Sequence, residues 1–147
     1  MKRNIVLHIC ILLGSCSLWA EKRAYTVDCI WGQGTYNSFT SLIKYKGKFY
    51  CAFREGRGHV FDENGKAEGK IRILRSANGK KWTSVAFFGQ EGMDFRDPKL
   101  SVTPDGRLSV SIGVSVYVNK QLKAQIPHVC FSDDGINYTQ PQKCVVE

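Results

Sequence analysis

A seven-residue turn occurs twice in this chain, and its recurrence limits the fold more than any other feature. Ser76-Ala77-Asn78-Gly79-Lys80-Lys81-Trp82 returns as Ser132-Asp133-Asp134-Gly135-Ile136-Asn137-Tyr138, 56 residues later (132 less 76). In each copy a serine opens the turn, and an Asn or Asp carries an oxygen able to bond nearby backbone amides. A glycine follows where the backbone needs positive φ, and an aromatic ring folds back beneath. A second turn keeps nearly the same spacing: Tyr45-Lys46-Gly47-Lys48-Phe49 returns as Pro104-Asp105-Gly106-Arg107-Leu108, 59 residues on (104 less 45). Two features repeating in one order indicate two copies of one structural unit. The copies span about 38–90 and 93–147.

Between the turns lie short runs of β-branched and aromatic residues, with no sustained 3.6-residue apolar period. The expected strands are Tyr25–Cys29, Thr40–Tyr45, Phe49–Arg54, Lys70–Arg75, Ser84–Phe88, Lys99–Thr103, Leu108–Val118, His128–Ser132 and Lys143–Val146. The expected class is therefore all-β, with two four-stranded units and Tyr25–Cys29 as an extra N-terminal strand.

The repeated turn resembles the Asp-box, S-x-D-G-x-x-W, which joins the third and fourth strands of blades in sialidase-like β-propellers. Asn78 stands for Asp in the first copy and Tyr138 for Trp in the second. The resemblance implies an incomplete propeller. Closure takes about four to eight blades, so two units read as the N-terminal portion of a larger propeller, with a stand-alone two-blade protein as the rival. The Asp-box is a fold element remote from ligand, so activity must be sought elsewhere.

Residues 1–20 have the layout of an export signal. Lys2 and Arg3 precede an apolar run, Ile5–Leu13, followed by small residues. Leu13-Gly14-Ser15-Cys16 resembles a lipobox, which makes Cys16 a lipidation candidate; cleavage after Ala20 is the alternative. The mature chain, 21–147, is expected outside the cytoplasm: periplasmic, extracellular, or an outer-membrane lipoprotein whose only membrane contact is a lipid anchor. Losing the two signal bases takes the formal charge from +8 to +6, with 13 acidic residues retained. The remaining lysines are scattered, without a dense basic run interleaved with aromatics, which argues against a nucleic-acid partner. A mild positive field favours an anionic ligand. Cys29, Cys51, Cys130 and Cys144 fit no zinc spacing. No metal or cofactor is expected, and Cys51 and Cys130, inside apolar runs, read as buried thiols.

The chemistry-bearing stretch is REGRGHVFDE, Arg54–Glu63, directly after the apolar FYCAF. Extended through Trp82, the segment resembles exo-α-sialidases: A-F-x-E-x-R, an Asp five residues after the Arg, a strand ending in R-S, then the Asp-box. Ala52-Phe53-Arg54-Glu55-Gly56-Arg57, Asp62 and Arg75-Ser76 supply those positions. The resemblance implies that Arg57 contacts the sugar near its carboxylate and that Asp62 is the general acid/base, its pKa raised by apolar neighbours such as Val60 and Phe61. Arg54 and His59 are additions to that pattern. Arg54 suits bidentate binding of a carboxylate or sugar hydroxyl, and His59 could bond substrate or Asp62. The plainer alternatives are an Arg57–Glu55 ion pair, a polar turn at Asp62-Glu63-Asn64-Gly65, and His59 as an ordinary loop residue.

Two features depart from a sialidase. Tyr36–Ser41 carries no arginine where that family has F-R-I-P, and the family's tyrosine nucleophile and remaining arginines come from later blades. Asp94-Phe95-Arg96-Asp97-Pro98-Lys99 opens the second unit and resembles the R-D-P motif of five-bladed fructan- and arabinan-type glycosidases. Their N-D-P-N-G is not supplied by Trp31-Gly32-Gln33-Gly34. Arg96 and Asp97 are therefore substrate-binding candidates beside Arg54, Arg57 and His59, or else a local pair at a proline-marked strand start. Three functional classes stand: an exported sialidase-like glycoside hydrolase acting on terminal sugars of glycans, a non-catalytic carbohydrate-binding propeller, and a purely structural product.

Overall fold

The computed structural model describes residues 25–145. Among them are eight strands and no helix: β1 (Tyr36–Tyr45), β2 (Lys48–Gly56), β3 (Lys70–Ser76), β4 (Trp82–Phe88), β5 (Asp94–Val102), β6 (Leu108–Val118), β7 (Gln121–Ser132) and β8 (Gln142–Lys143). They form two antiparallel four-stranded sheets, ordered β1-β2-β3-β4 and β5-β6-β7-β8, so each is a meander of sequence neighbours. Lys46-Gly47 closes the first hairpin with φ of 44° and 74°, and Asn119-Lys120 closes β6 onto β7 with 51° and 61°. Two central residues at positive φ make a turn whose twist matches that of a hairpin.

The core lies between the sheets. Tyr50 and Ala52 of β2 and Ile71 and Ile73 of β3 meet Leu108, Val110, Ile112 and Val114 of β6, at every second position of each strand. That alternation puts one side of each strand into a shared apolar layer. Burying each large side chain stabilises by about 1.5–3 kcal/mol. The unbroken FYCAF run has a separate cause: β2 is covered on both faces. Cys51 and Phe53 join Leu74 on its other side, beneath Trp31 and Trp82. β5 is the strand of the second sheet that lies against the first, touching β1, β2 and β3. The Leu100 amide donates to Ser41 Oγ at 3.0 Å. The Tyr45 hydroxyl lies 2.9 Å from the carbonyls of both Gly106 and Asp133, tying the first sheet to the turns of the second.

The two serine turns share a bonding scheme. Ser76 Oγ accepts from Gly79 N at 2.9 Å, and Ser132 Oγ from Gly135 N at 2.8 Å. Asn78 Oδ1 accepts from Lys80 N and Lys81 N, as Asp134 Oδ1 does from Ile136 N and Asn137 N. The glycines sit at φ 74° and 72°. Cys51 and Cys130 are buried, and burial raises both thiols, Cys130 to about 12. They are packing groups, since the nucleophilic form of cysteine is the thiolate.

Several expected elements differ. Tyr25–Cys29 is not a strand: the segment pairs with neither sheet, and Tyr25 is 83% and Val27 93% exposed. β5 begins at Asp94 rather than Lys99, because a bulge inside the strand accommodates Pro98. β7 begins at Gln121 rather than His128, because the tight Asn119-Lys120 turn zips the whole segment onto β6. β8 is only Gln142–Lys143. The segment expected to be an export signal, with Cys16, and Val146 at the other end lie outside the described residues.

Candidate functional site

Both serine turns lie at one end of the sheets. At the opposite end the meanders bring together the β2–β3 loop (57–69), the β4–β5 link (89–93), the β6–β7 turn and the first halves of β1 and β5. Here the two sheets share a feature that their residues do not reveal. In β1, Ser38 pairs with Arg54 and Ser41 with Ala52, leaving Phe39-Thr40 opposite one residue. In β5, Arg96 pairs with Gly113 and Lys99 with Ser111, leaving Asp97-Pro98 likewise. Phe39 and Asp97 hold the left-handed conformation, at φ 58° and 51°. Such strain in a non-glycine residue concentrates at functional positions. The twin bulges face each other, and the Arg96 guanidinium lies 5.4 Å from the centroid of the Phe39 ring.

A buried charge cluster supports this end. Asp94, with no exposed surface, accepts at Oδ1 from Arg54 Nε (2.9 Å), Arg54 Nη2 (2.7 Å) and Gly69 N (2.8 Å). Its Oδ2 faces Arg96 Nη1 at 3.4 Å. Arg54 is 1% exposed, and its Nη1 donates to the Gly58 carbonyl at 2.7 Å. The expected role of Arg54 in gripping a ligand is thereby corrected. It grips a carboxylate with two N–H groups on one oxygen, but that carboxylate is Asp94, because a charge at the buried end of β2 requires an internal partner. A Cβ on Gly69 would stand 2.2 Å from both Arg54 Nε and Asp94 Oδ1, so only glycine passes between them.

Arg96 carries the cluster outward. It is 12% exposed; its Nε donates to Asp97 Oδ2 at 3.2 Å, and its Nη1 lies 3.4 Å from the Tyr117 hydroxyl. Asp97 is 46% exposed. Tyr117 meets Phe61 edge to face, at 5.1 Å between centroids. On the other side, His59 Nδ1 is 2.8 Å from the Tyr36 hydroxyl, and its ring meets Phe39 at 5.5 Å. His59 therefore bonds Tyr36 and not Asp62.

Asp62 is held differently from the expectation. Its Oδ1 accepts from the backbone amides of Lys66 and Asn64, both at 2.8 Å. Those bonds, the Lys66 amide first, hold its carboxyl below the usual range. Amides that stabilise the charged form outweigh the effect of Val60 and Phe61. Arg57 is exposed and pairs with Glu63 at 3.1 Å, not with Glu55. Glu55 accepts from Arg72 at 2.6 and 2.9 Å and from Trp31 Nε1 at 3.0 Å. The Arg72 bond, first among these, lowers its pKa. Arg72 itself is sandwiched between the rings of Trp31 (4.6 Å) and Phe87 (4.0 Å).

Two hollows flank the loop. One, of about 440 Å³, is bordered by Arg57, Val60, Asp62, Lys66, Glu68 and Lys70. The other, of about 500 Å³, lies beside Phe61 and Tyr117. No cluster of metal-ligating side chains occurs among the described residues. Comparison with known proteins adds fold and nothing further. A solved structure of a protein of unknown function from Dyadobacter fermentans DSM 18053 matches 77% of this chain with a TM-score of 0.60 at 21% identity. This chain spans 38% of that one. No family model and no curated protein matches.

The structure thus joins Arg96 and Asp97 to the β2–β3 loop through Tyr117 and Phe61, leaves Arg57 and Asp62 on the loop's outer turn, and withdraws Arg54 into the interior. Sequence reasoning missed Asp94, Tyr117 and Phe39. No sequence signal marks Phe39: its bulge matches that of Asp97 only in the strand pairing, and Ser38-Phe39-Thr40-Ser41 shares no residue with Arg96-Asp97-Pro98-Lys99.

Proposed function

We propose that the two sheets are blades of a sialidase-like β-propeller, and that the end bearing the twin bulges binds terminal sugars of glycans. The blade reading is supported by two meanders, each with a serine turn between its third and fourth strands, and by β5 facing the neighbouring sheet. The sugar reading is carried by one observation: Arg96, Asp97, Tyr117, Phe61 and Phe39 form a continuous set of contacts at the loop-rich end. A sugar presents apolar C–H faces and rows of hydroxyls. Aromatic rings suit the first and a fixed, half-exposed carboxylate suits the second. Export by residues 1–20, with or without lipidation at Cys16, would bring this surface to extracellular glycans.

Glycoside hydrolysis by the whole protein is the second reading. Arg57 and Asp62 border one hollow at the spacing of the sialidase pattern. Against an acid role stands the turn that keeps Asp62 charged, so a protonated Asp62 would require that turn to open. Asp97, free of backbone amides, is the other carboxyl to test.

Amide shifts of the whole chain on titration with mixed oligosaccharides test the binding reading. Perturbations are expected at residues 59–68, 96–97 and 117–120, and Asp97→Ala should remove them. Shifts spread elsewhere, or an Asp97→Ala protein that binds as before, would refute it.

A further inference from the structure

The composition of the rim bears on the class of sugar, an inference that rests on the glycan reading. Each arginine at this end already faces a carboxylate. Arg54 holds Asp94, Arg96 lies between Asp94 and Asp97, and Arg57 meets Glu63. On the outer face of the first sheet Arg72 holds Glu55. A ligand carboxylate binding any of these would have to displace an internal partner, and for Arg54 and Arg96 that partner is buried or shared. Separating such a pair leaves a charge without compensation.

The hollow beside Phe61 and Tyr117 is balanced as well. Lys66 and Lys120 line it together with Glu68 and Glu91, two bases against two acids. Lys66 Nζ is within 4.0 Å of Glu68 Oε1. The remaining polar side chains there are the amides of Asn64 and Asn119 and the hydroxyl of Tyr117. Asn119 and Lys120 are held at positive φ by the hairpin turn, which fixes their backbone at the mouth. Its aromatic wall is the Phe61–Tyr117 pair. Amides and balanced charges satisfy hydroxyls, which both donate and accept. They give no net attraction to an anion.

We propose that this hollow takes an uncharged sugar ring, stacked on the Tyr117 side and bonded through hydroxyls, and that it discriminates against carboxylated sugars. This departs from the overall positive charge of the chain, which favours anions only at long range.

Matched pairs of methyl glycosides test it on the whole chain. Methyl β-galactoside and methyl β-galacturonide, or methyl β-glucoside and methyl β-glucuronide, differ only in a hydroxymethyl against a carboxylate group. N-acetylneuraminic acid is added as a second acid. Amide shift titrations should show the neutral member of a pair binding at least about tenfold tighter, the factor of a single lost polar interaction. Tyr117→Ala should weaken neutral-sugar binding by about tenfold, with far-UV circular dichroism checking the fold. Glu91→Gln, on an exposed turn, makes the hollow net positive and should narrow or reverse the preference without depending on the ring. Tighter binding of the acids by the unaltered protein overturns the inference while leaving the glycan reading intact. Absence of binding by both members of every pair overturns both.

Discussion

The two ends of the sheets are built on opposite plans. At the serine-turn end, the turn side chains answer to their own turns, and Tyr45 and Lys46 supply the long-range ties to Gly106 and Asp133. Ser76 and Ser132 bond backbone two or three residues on, and Asn78 and Asp134 bond the next amides. At the other end, polar groups answer to distant ones: Arg54 to Asp94 across 40 residues, Arg96 to Tyr117 across 21, His59 to Tyr36 across 23. Local bonding makes a turn that can be copied and left unchanged. Long-range bonding makes an end that holds non-glycine residues at positive φ and leaves Asp97 half free. The first is what a repeating scaffold needs, and the second is where binding chemistry can be placed.

The sharpest break of this contrast is Asp94→Ala. It leaves Arg54 buried without its carboxylate and should cost about 3–5 kcal/mol, read as a drop in the urea unfolding midpoint. Arg54→Met with Asp94→Leu should recover most of that loss, because a pair of apolar groups strands no charge. A single variant as stable as the parent would mean that water enters the cluster and the interior there is not dry.

The next effect lies at the other end and separates the two turns. A Cβ on Gly135 would stand 2.1 Å from the Tyr50 hydroxyl at φ 72°, whereas one on Gly79, at φ 74°, meets nothing within 4 Å. Gly79→Ala should cost about 1 kcal/mol, from backbone strain alone. Gly135→Ala should cost about 2 kcal/mol or more, since overpacking adds to the strain. Equal losses by thermal unfolding would show that Tyr50 moves aside freely.

This contrast also decides what could be read in the sequence. The serine turns were legible because their bonds run within seven residues, so the spacing itself encodes them. The strands of the meanders were legible for the same reason, from Thr40–Tyr45 to Leu108–Val118. The rim was not. Arg54 reads as a ligand-binding arginine, whereas it is buried against Asp94, 40 residues away, which nothing near it in sequence names. The Asp62 carboxyl was expected above its usual pKa from its apolar neighbours. Two backbone amides decide it instead, and they depend on how the loop closes. The extra N-terminal strand is not formed, because a β-branched run predicts a strand only where it pairs with a neighbour, and Tyr25–Cys29 stays exposed.

A smaller effect arises on acid titration. In the second turn, bonds from the Asn137 and Ile136 amides hold the Asp134 carboxyl far below its usual range. Its folded pKa lies under its unfolded value of about 3.9, so its stabilising share is present above that value and disappears as pH falls through the folded one. Unfolding midpoints should therefore decline below about pH 4. Asp134→Asn should flatten part of the decline, while Asn78→Ala should lower the midpoint equally at every pH, since Asn78 carries no proton to gain. Parallel acid profiles for the parent and Asp134→Asn would remove this carboxylate from the account.

The smallest expected change tests whether the loop end keeps one piece of the other plan. Asp62 behaves like a residue of the serine turns: one oxygen accepts two backbone amides, and its charge is secondary to that geometry. Asp62→Asn preserves an acceptor oxygen in the same place. If capping is the whole role, thermal unfolding and neutral-sugar binding should both match the parent, and amide exchange at residues 62–66 should stay slow. Asp62→Ala removes the acceptor and should speed exchange there without moving the global midpoint, since an open loop unfolds locally before the sheets do. A role in proton transfer predicts the reverse order. Asp62→Asn would then abolish glycoside turnover by the whole protein as fully as Asp62→Ala does, because an amide cannot donate the proton of a carboxylic acid. The two substitutions thus distinguish a turn borrowed from the scaffold end from a working carboxyl, on readouts that do not depend on each other.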